Sequence, residues 1–245
     1  MATLRRISIF TRFTLTEYAR SGRIIIELVA AVIFWALFLR QYTVDLSQFF
    51  SITGIFTLLM ALYTTASLLS VGERPQGYTI VTRPLGRHGY LIGLYLVALI
   101  VVTTMFVLVT VITLISGTLS DFVLLEWLKG SLPLLLNVGL VAALMLLLSS
   151  LVLSNAWRLV VLAVLAIALY SNSWHLYSFY RFVAPLQSLF SWPIYPALKG
   201  FELSTTRDFS NGAQYVPIAQ LALIVLLLSL ALSSFKRRDL ILRNQ

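Results

Sequence analysis

Six apolar stretches, separated by short charged or turn-forming segments, dominate the chain and leave little freedom in what it can fold into. A hydrocarbon core about 30 Å thick is crossed by roughly 20 helical residues. The stretches near residues 24 to 39, 49 to 71, 91 to 115, 132 to 153, 157 to 174 and 215 to 234 are each read as one crossing. The first lies between Arg23 and Arg40 and reaches only about 24 Å at 1.5 Å per residue, so both arginines are expected to snorkel to the interfaces. With 59% hydrophobic and 11% charged residues in 245, more apolar surface is present than a soluble domain can bury, and the surplus must meet lipid. The expected fold class is an all-α integral membrane protein. It has six transmembrane helices, an N-terminal interfacial amphipathic helix, and short outer-face helices between spans five and six.

An even number of crossings puts both termini on one side, and the basic residues choose that side. With cytoplasmic termini, the inner segments hold thirteen Lys and Arg and the outer segments five: Arg40, Lys129, Arg181, Lys199 and Arg207. Glu17, Glu27, Glu73 and Asp239 leave the inner side at +9, while Asp45, Asp121, Glu126, Glu202 and Asp208 bring the outer side to zero. The whole net charge is thus positive-inside asymmetry, which removes the support for a nucleic-acid partner. A prokaryotic inner (plasma) membrane is the expected location.

Residues 1 to 23 carry no uninterrupted apolar core and no small-residue cleavage site, so they are not read as a cleaved signal. At 100° per residue Leu4, Ile7, Phe10, Leu15 and Tyr18 share one arc and Arg5, Arg6, Arg12 and Arg20 the other, with Ile9 and Phe13 blurring the division. This predicts a helix lying flat on the inner leaflet. A disordered basic tail held to anionic headgroups is the alternative. Residues 175 to 214, rich in aromatics and broken by Pro185, Pro193 and Pro196, predict short outer-face helices or a shallow re-entrant hairpin. Ser154, Asn155 and Ala156 leave room only for a tight inner hairpin between spans four and five.

The chemistry of an intramembrane enzyme is missing. Cysteine is absent, and the two histidines, His88 and His175, fall on opposite sides of this topology. No G-x-x-x-x-G-K-[ST] loop occurs, so the chain has no ATPase site of that kind. Glu27 is the single acid inside a span, and a pair with Arg23 at i, i+4, or contact with interfacial water, is the expected role for it.

The longest inner loop, residues 72 to 90, reads "GERPQGYTIVTRPLGRHGY". Its apolar middle, Tyr78 to Val81, is punctuated on both flanks by Pro and Gly, which predicts a short structured element with a docking face. "GYLIG" at 89 to 93 adds a G-x-x-x-G helix-packing pattern at the start of span three. Together "GERPQGYTIVTRPLGRHGYLIG" resembles the loop between spans two and three in permease subunits of type-2 ABC exporters. Glu73, Gly77, Arg83, Pro84, Arg87, Tyr90 and Gly93 fall at matching positions. Tyr78, Ile80, Gly86 and Leu94 depart from that pattern. The amphipathic start, the six spans, the aromatic outer segment and the terminal "FKRRDL" at 235 to 240 extend the likeness over the chain.

The resemblance implies a dimer, with the same or a related permease, docked on a cytoplasmic ABC ATPase subunit that binds ATP and Mg; this chain itself binds no cofactor. Residues 24 to 245 would form the permease domain. The coupling surface would comprise Glu73, Arg74, Tyr78, Arg83, Arg87 and His88, joined by Arg12 and Glu17 of the first helix. A pathway between protomers would be lined by Thr64, Thr65 and Ser67 of span two and Tyr170, Ser171, Asn172 and Ser173 of span five. Helix-to-helix hydrogen bonding is the other reading of those residues. No ring of like charges lines it, so the cargo expected is lipid-like or amphiphilic, moving outward. The alternative is a non-transporting anchor or regulatory subunit that keeps the permease fold.

Overall fold

The computed structural model describes residues 2–72, 86–149, 152, 153, 156, 158–162, 194–210 and 212–237. Seven helices account for most of them: α1 (Ala2–Arg20), α2 (Arg23–Phe34, prolonged by a π-helical turn, Trp35–Leu39), α3 (Leu46–Gly72), α4 (Gly86–Ile115), α5 (Leu124–Leu147), α6 (Tyr195–Thr206) and α7 (Tyr215–Arg237). Four of them, α3, α4, α5 and α7, are long and apolar enough to cross a membrane, and the bent pair formed by α1 and α2 brings the number to five. Such a set fits a multi-pass membrane protein. Of the expected fifth crossing, 157 to 174, only residues 158–162 are described, and they are helical.

The helices alternate in direction. Arg23, at the start of α2, reaches Ser67 and Ser70 near the end of α3, and Phe10 of α1 packs at a tilt against Tyr90 in the second turn of α4. These contacts mark one end of the bundle, the elbow end. At the far end Val44 bridges Leu119 between the α2–α3 and α4–α5 connections, with Val44 N–H donating to Thr118 O and Ser120 N–H to Val44 O. Asp45 caps α3 there by accepting from Gln48 N–H at 2.7 Å. Two apolar clusters follow the same division. One gathers Phe10, Tyr18, Leu68, Tyr90, Leu147 and Phe235 around the elbow end; the other gathers Leu39, Phe49, Phe50, Phe106 and Leu134 towards the far end.

The fourth crossing is displaced from its expected position, occupying Leu124–Leu147 instead of 132 to 153. Glu126 in the first turn complements the positive end of the helix and pairs with Lys129 at 2.7 Å, so the charges that mark a loop in the sequence stabilise a helix start instead. Pro133 stays inside that helix. Its carbonyl accepts from the Gln220 side chain of α7, which also donates to Asn137 Oδ1 at 2.8 Å, while Asn137 Nδ2 donates to Ala197 O at the start of α6. Of the short helices expected between 175 and 214, the described residues hold one, α6, whose first turn bonds to Asn137 midway along α5, and residues 175–193 lie outside the described part.

Close helix approach depends on glycines at four positions, Gly54 against Phe201 among them. A Cβ on Gly93 would sit 2.4 Å from the Phe10 ring, on Gly130 2.4 Å from Phe50, and on Gly200 2.0 Å from Gln220 Nε2. Helices in lipid gain little from the hydrophobic effect among themselves, so contact of this closeness replaces it. The Gly-x-x-x-Gly pattern at 89 to 93 therefore has its use: Gly93 seats α1. Gly93→Ala should lower stability by about 1–3 kcal/mol, read as a fall of several degrees in the thermal midpoint of the purified protein in detergent. Phe10→Ala should cost less in the Gly93→Ala background than in the native chain, because the ring that clashes is then gone.

Candidate functional site at the helical elbow

α1 and α2 meet at 70°. The joint is a two-residue turn in which Gly22 takes the left-handed conformation, φ 76°, a backbone region open mainly to glycine. Ser21 N–H donates to Glu17 O and the Ser21 hydroxyl to Tyr18 O, closing the end of α1 before the turn. Ile25 N–H then bonds back to Gly22 O to open α2.

Inside the angle lies a buried polar cluster. Glu27 is fully enclosed. The Tyr18 hydroxyl donates to Glu27 Oε1 at 2.6 Å across the elbow, and the Thr64 hydroxyl of α3 donates to the same oxygen at 2.5 Å. One oxygen thus ties α1, α2 and α3 together, while Oε2 has no hydrogen-bond partner among the described residues. Burial, reinforced by the hydrogen bond to Glu27, pushes the Tyr18 phenol well above its ordinary range.

The expected Arg23–Glu27 pair is not formed. The turn at Gly22 carries Arg23 over the end of α3, where its Nη1 donates to Ser67 O at 2.5 Å and to Ser70 Oγ at 3.3 Å. A guanidinium there meets the negative end of the α3 dipole. Arg40, at the other end of the crossing, is exposed and lies over the Trp35 ring at 5.9 Å.

The two faces of α1 differ as the wheel predicts, with one addition. Phe10 and Tyr18 are buried and Ile7 and Leu15 half-buried. Ile9 and Phe13, which blur the pattern in sequence, are 60% and 55% exposed, and they line a shallow groove with Arg12, Thr16, Glu17 and Arg20. The groove lies along α1 alone, with two apolar side chains flanked by two arginines, a glutamate and a threonine.

Arg12 and Glu17 thus share one groove, and His88 is exposed in the first turn of α4 at the same end of the bundle. Glu73, Arg74, Tyr78 and Arg83 lie outside the described residues, as does the side chain of Arg87. Among the span-two residues, Thr64 is held by Glu27, Thr65 is buried, and Ser67 is half-buried with its carbonyl on Arg23. The face that α3 leaves open is apolar, with Ile55, Leu59, Leu62 and Tyr63. Tyr170, Ser171, Asn172 and Ser173 lie outside the described residues. Among the described residues no group of three His, Cys, Asp or Glu could hold a metal.

Tyr18 and Thr64 as donors to Glu27 escaped the sequence reading. A lone acid within an apolar run is a legible signal, but its partners are nine and thirty-seven positions away and meet it only once the elbow is bent. No family model, curated protein or solved structure matches this chain.

A double-mutant cycle of Tyr18→Phe and Thr64→Val, measured by denaturation in mixed micelles, should give a coupling energy of about 0.6–2 kcal/mol. A phenol whose folded value is raised loses its contribution once pH climbs past the unfolded value of about 10. Alkali between pH 10 and 12 should therefore destabilise the native chain more than Tyr18→Phe.

Proposed function

We propose that the chain is the membrane-spanning permease subunit of an ATP-driven ABC exporter for a lipid-like or amphiphilic substrate, with ATP hydrolysed by a separate cytoplasmic subunit. The observation that carries the reading is the elbow: an exposed groove of mixed chemistry on α1, joined through Tyr18, Glu27 and Thr64 to two crossing helices. A partner that presses on α1 in one nucleotide state and releases it in the other would tilt α2 and α3 as stiff rods. Such a partner must bind the two arrangements unequally, since equal affinity shifts nothing.

In this reading the elbow end is cytoplasmic. Arg5, Arg6, Arg12, Arg20 and Arg23 gather there, whereas Glu126, Lys129, Lys199, Glu202 and Asp208, three acids against two bases, belong to the far end. α5 ends at the elbow end and α7 starts at the far end, so connectivity supports a sixth crossing between them, over 157 to 174. Residues 72 to 90 complete the docking surface, with Glu73, Arg74, Tyr78, Arg83, Arg87 and His88 beside Arg12 and Glu17. The open apolar faces of α2 and α3 suit a second permease subunit.

The burial of Thr64 and Thr65 inside the chain favours a second reading, a non-transporting anchor or regulatory subunit, because it removes two hydroxyls from a path between protomers. Both readings are tested by tagging the carboxyl terminus, extracting the protein in mild detergent after cross-linking, and identifying what co-purifies. A soluble ATP-binding subunit should appear in near-equal amount. Its recovery should fall more than tenfold when Arg12, Arg83 and Arg87 are reversed to Glu in a chain that still melts normally. Retention by the reversed chain would place docking elsewhere, and recovery without any ATPase would support the anchor.

A further inference from the structure

The far end of the bundle holds a second cavity, between α6 and α7, which the transport reading leaves unused. The connection between these helices turns through Arg207 in the left-handed conformation and through Gly212, φ 83°. Both helices are fixed against α5 by the polar knot of Asn137, Gln220 and the Pro133 and Ala197 carbonyls. Side chains of both helices and of their connection line a cavity of about 500 Å³.

Its walls are chemically sorted. Lys199, Glu202 and Asp208 supply one cation and two carboxylates. Lys199 Nζ and Glu202 Oε2 stand 2.6 Å apart with side chains 41% and 56% exposed, so water reaches the pair and a competing charge can open it. Ser210 N–H donates to Asp208 Oδ1 at 2.9 Å and holds that carboxyl below the usual range, so it is ionised at neutral pH. Tyr195 and Tyr215, 56% and 64% exposed, stand at the rim. The remaining wall mixes Thr206 and Ser210 with apolar side chains that include Val216 and Ala219, and the face of α7 that carries Ala219 continues into the exposed Leu226 and Leu230.

We infer that this cavity binds the headgroup of a zwitterionic phospholipid, its ammonium against Glu202 and Asp208 and its phosphate against Lys199, with the acyl chains along the open face of α7. Each element of the ligand has a counterpart on the wall. Two carboxylates beside exposed tyrosines suit an ammonium group, a lysine is a point-charge phosphate binder, and an apolar helix face suits the tails. A wall with one excess negative charge disfavours an anionic headgroup, and the lysine disfavours a purely cationic one. The site holds whether or not the chain transports, because it involves none of the elbow residues.

Native mass spectrometry of the purified chain tests it, with dioleoyl phosphatidylethanolamine and dioleoyl phosphatidylglycerol added at equal concentration. The ethanolamine lipid should be retained at least fivefold more than the glycerol lipid. Glu202→Gln with Asp208→Asn should abolish that preference, and Val216→Trp, which fills the cavity without changing a charge, should lower retention of the ethanolamine lipid to a similar degree. Thermal melts establish that each variant is folded. Equal retention of the two lipids by the native chain, or an undiminished preference in both variants, would overturn the assignment.

Discussion

A carboxyl group fully enclosed by protein must find its donors there, because no water reaches it and an unpaired charge in such surroundings is costly. Glu27 meets that requirement through hydroxyls from two other helices, and so fixes what the first third of the chain can do. The elbow must bend until Tyr18 comes back over α2, Gly22 must take the backbone conformation that allows the bend, and α3 must present Thr64 at that level. Arg23 is then left without the acid nearest to it in sequence and finds the carbonyl of Ser67 instead. These contacts exclude each other's alternatives, so the joint has one arrangement for each orientation of α1.

The far end is held by a different kind of polar contact. There the donors are amides, Asn137 and Gln220, and the acceptors include backbone carbonyls of Pro133 and Ala197. Gly200 lets α6 approach until the Gln220 side chain fills the space a Cβ would need. No formal charge is buried in this knot, so it does not depend on a proton. It joins α5, α6 and α7, whereas the Glu27 cluster joins α1, α2 and α3. The long α4 packs against both groups, with Gly93 and Tyr90 on α1 and Phe106 against Trp127 of α5.

The helical class and most of the crossings were legible because apolar runs of 20 residues have few other outcomes. The buried arc of α1 was legible from its period, and Gly93 from its spacing. The early start of α5 was not. Glu126 and Lys129 read as loop charges when counted by hydropathy, although the same two residues favour a helix start by dipole and ion pair. The Arg23–Glu27 pair failed for a geometric reason: i, i+4 spacing brings two side chains near each other only where no neighbouring helix competes, and α3 competes for both. Asn137 and Gln220 were visible as amides within apolar runs, but 83 positions separate them, and no local pattern reports a partner at that distance. Thr64 and Thr65 show the same limit from the other side, since hydroxyls on an apolar helix do not reveal in sequence whether they face a path or their own chain.

The two polar clusters divide the molecule mechanically. A load applied to α1 reaches α4 through Phe10, seated at Gly93 and Tyr90, and reaches α2 and α3 through the hydrogen bonds that Tyr18 and Thr64 make to Glu27 across the elbow. α5 and α7 lie outside that path: Gln220 and Asn137 fix them to each other, and Phe235 closes α7 into the elbow-end core. α3 packs on α5 as well as on α4, so the two groups share one apolar core between them. The division follows from where five polar side chains, Tyr18, Glu27, Thr64, Asn137 and Gln220, lie along the helices.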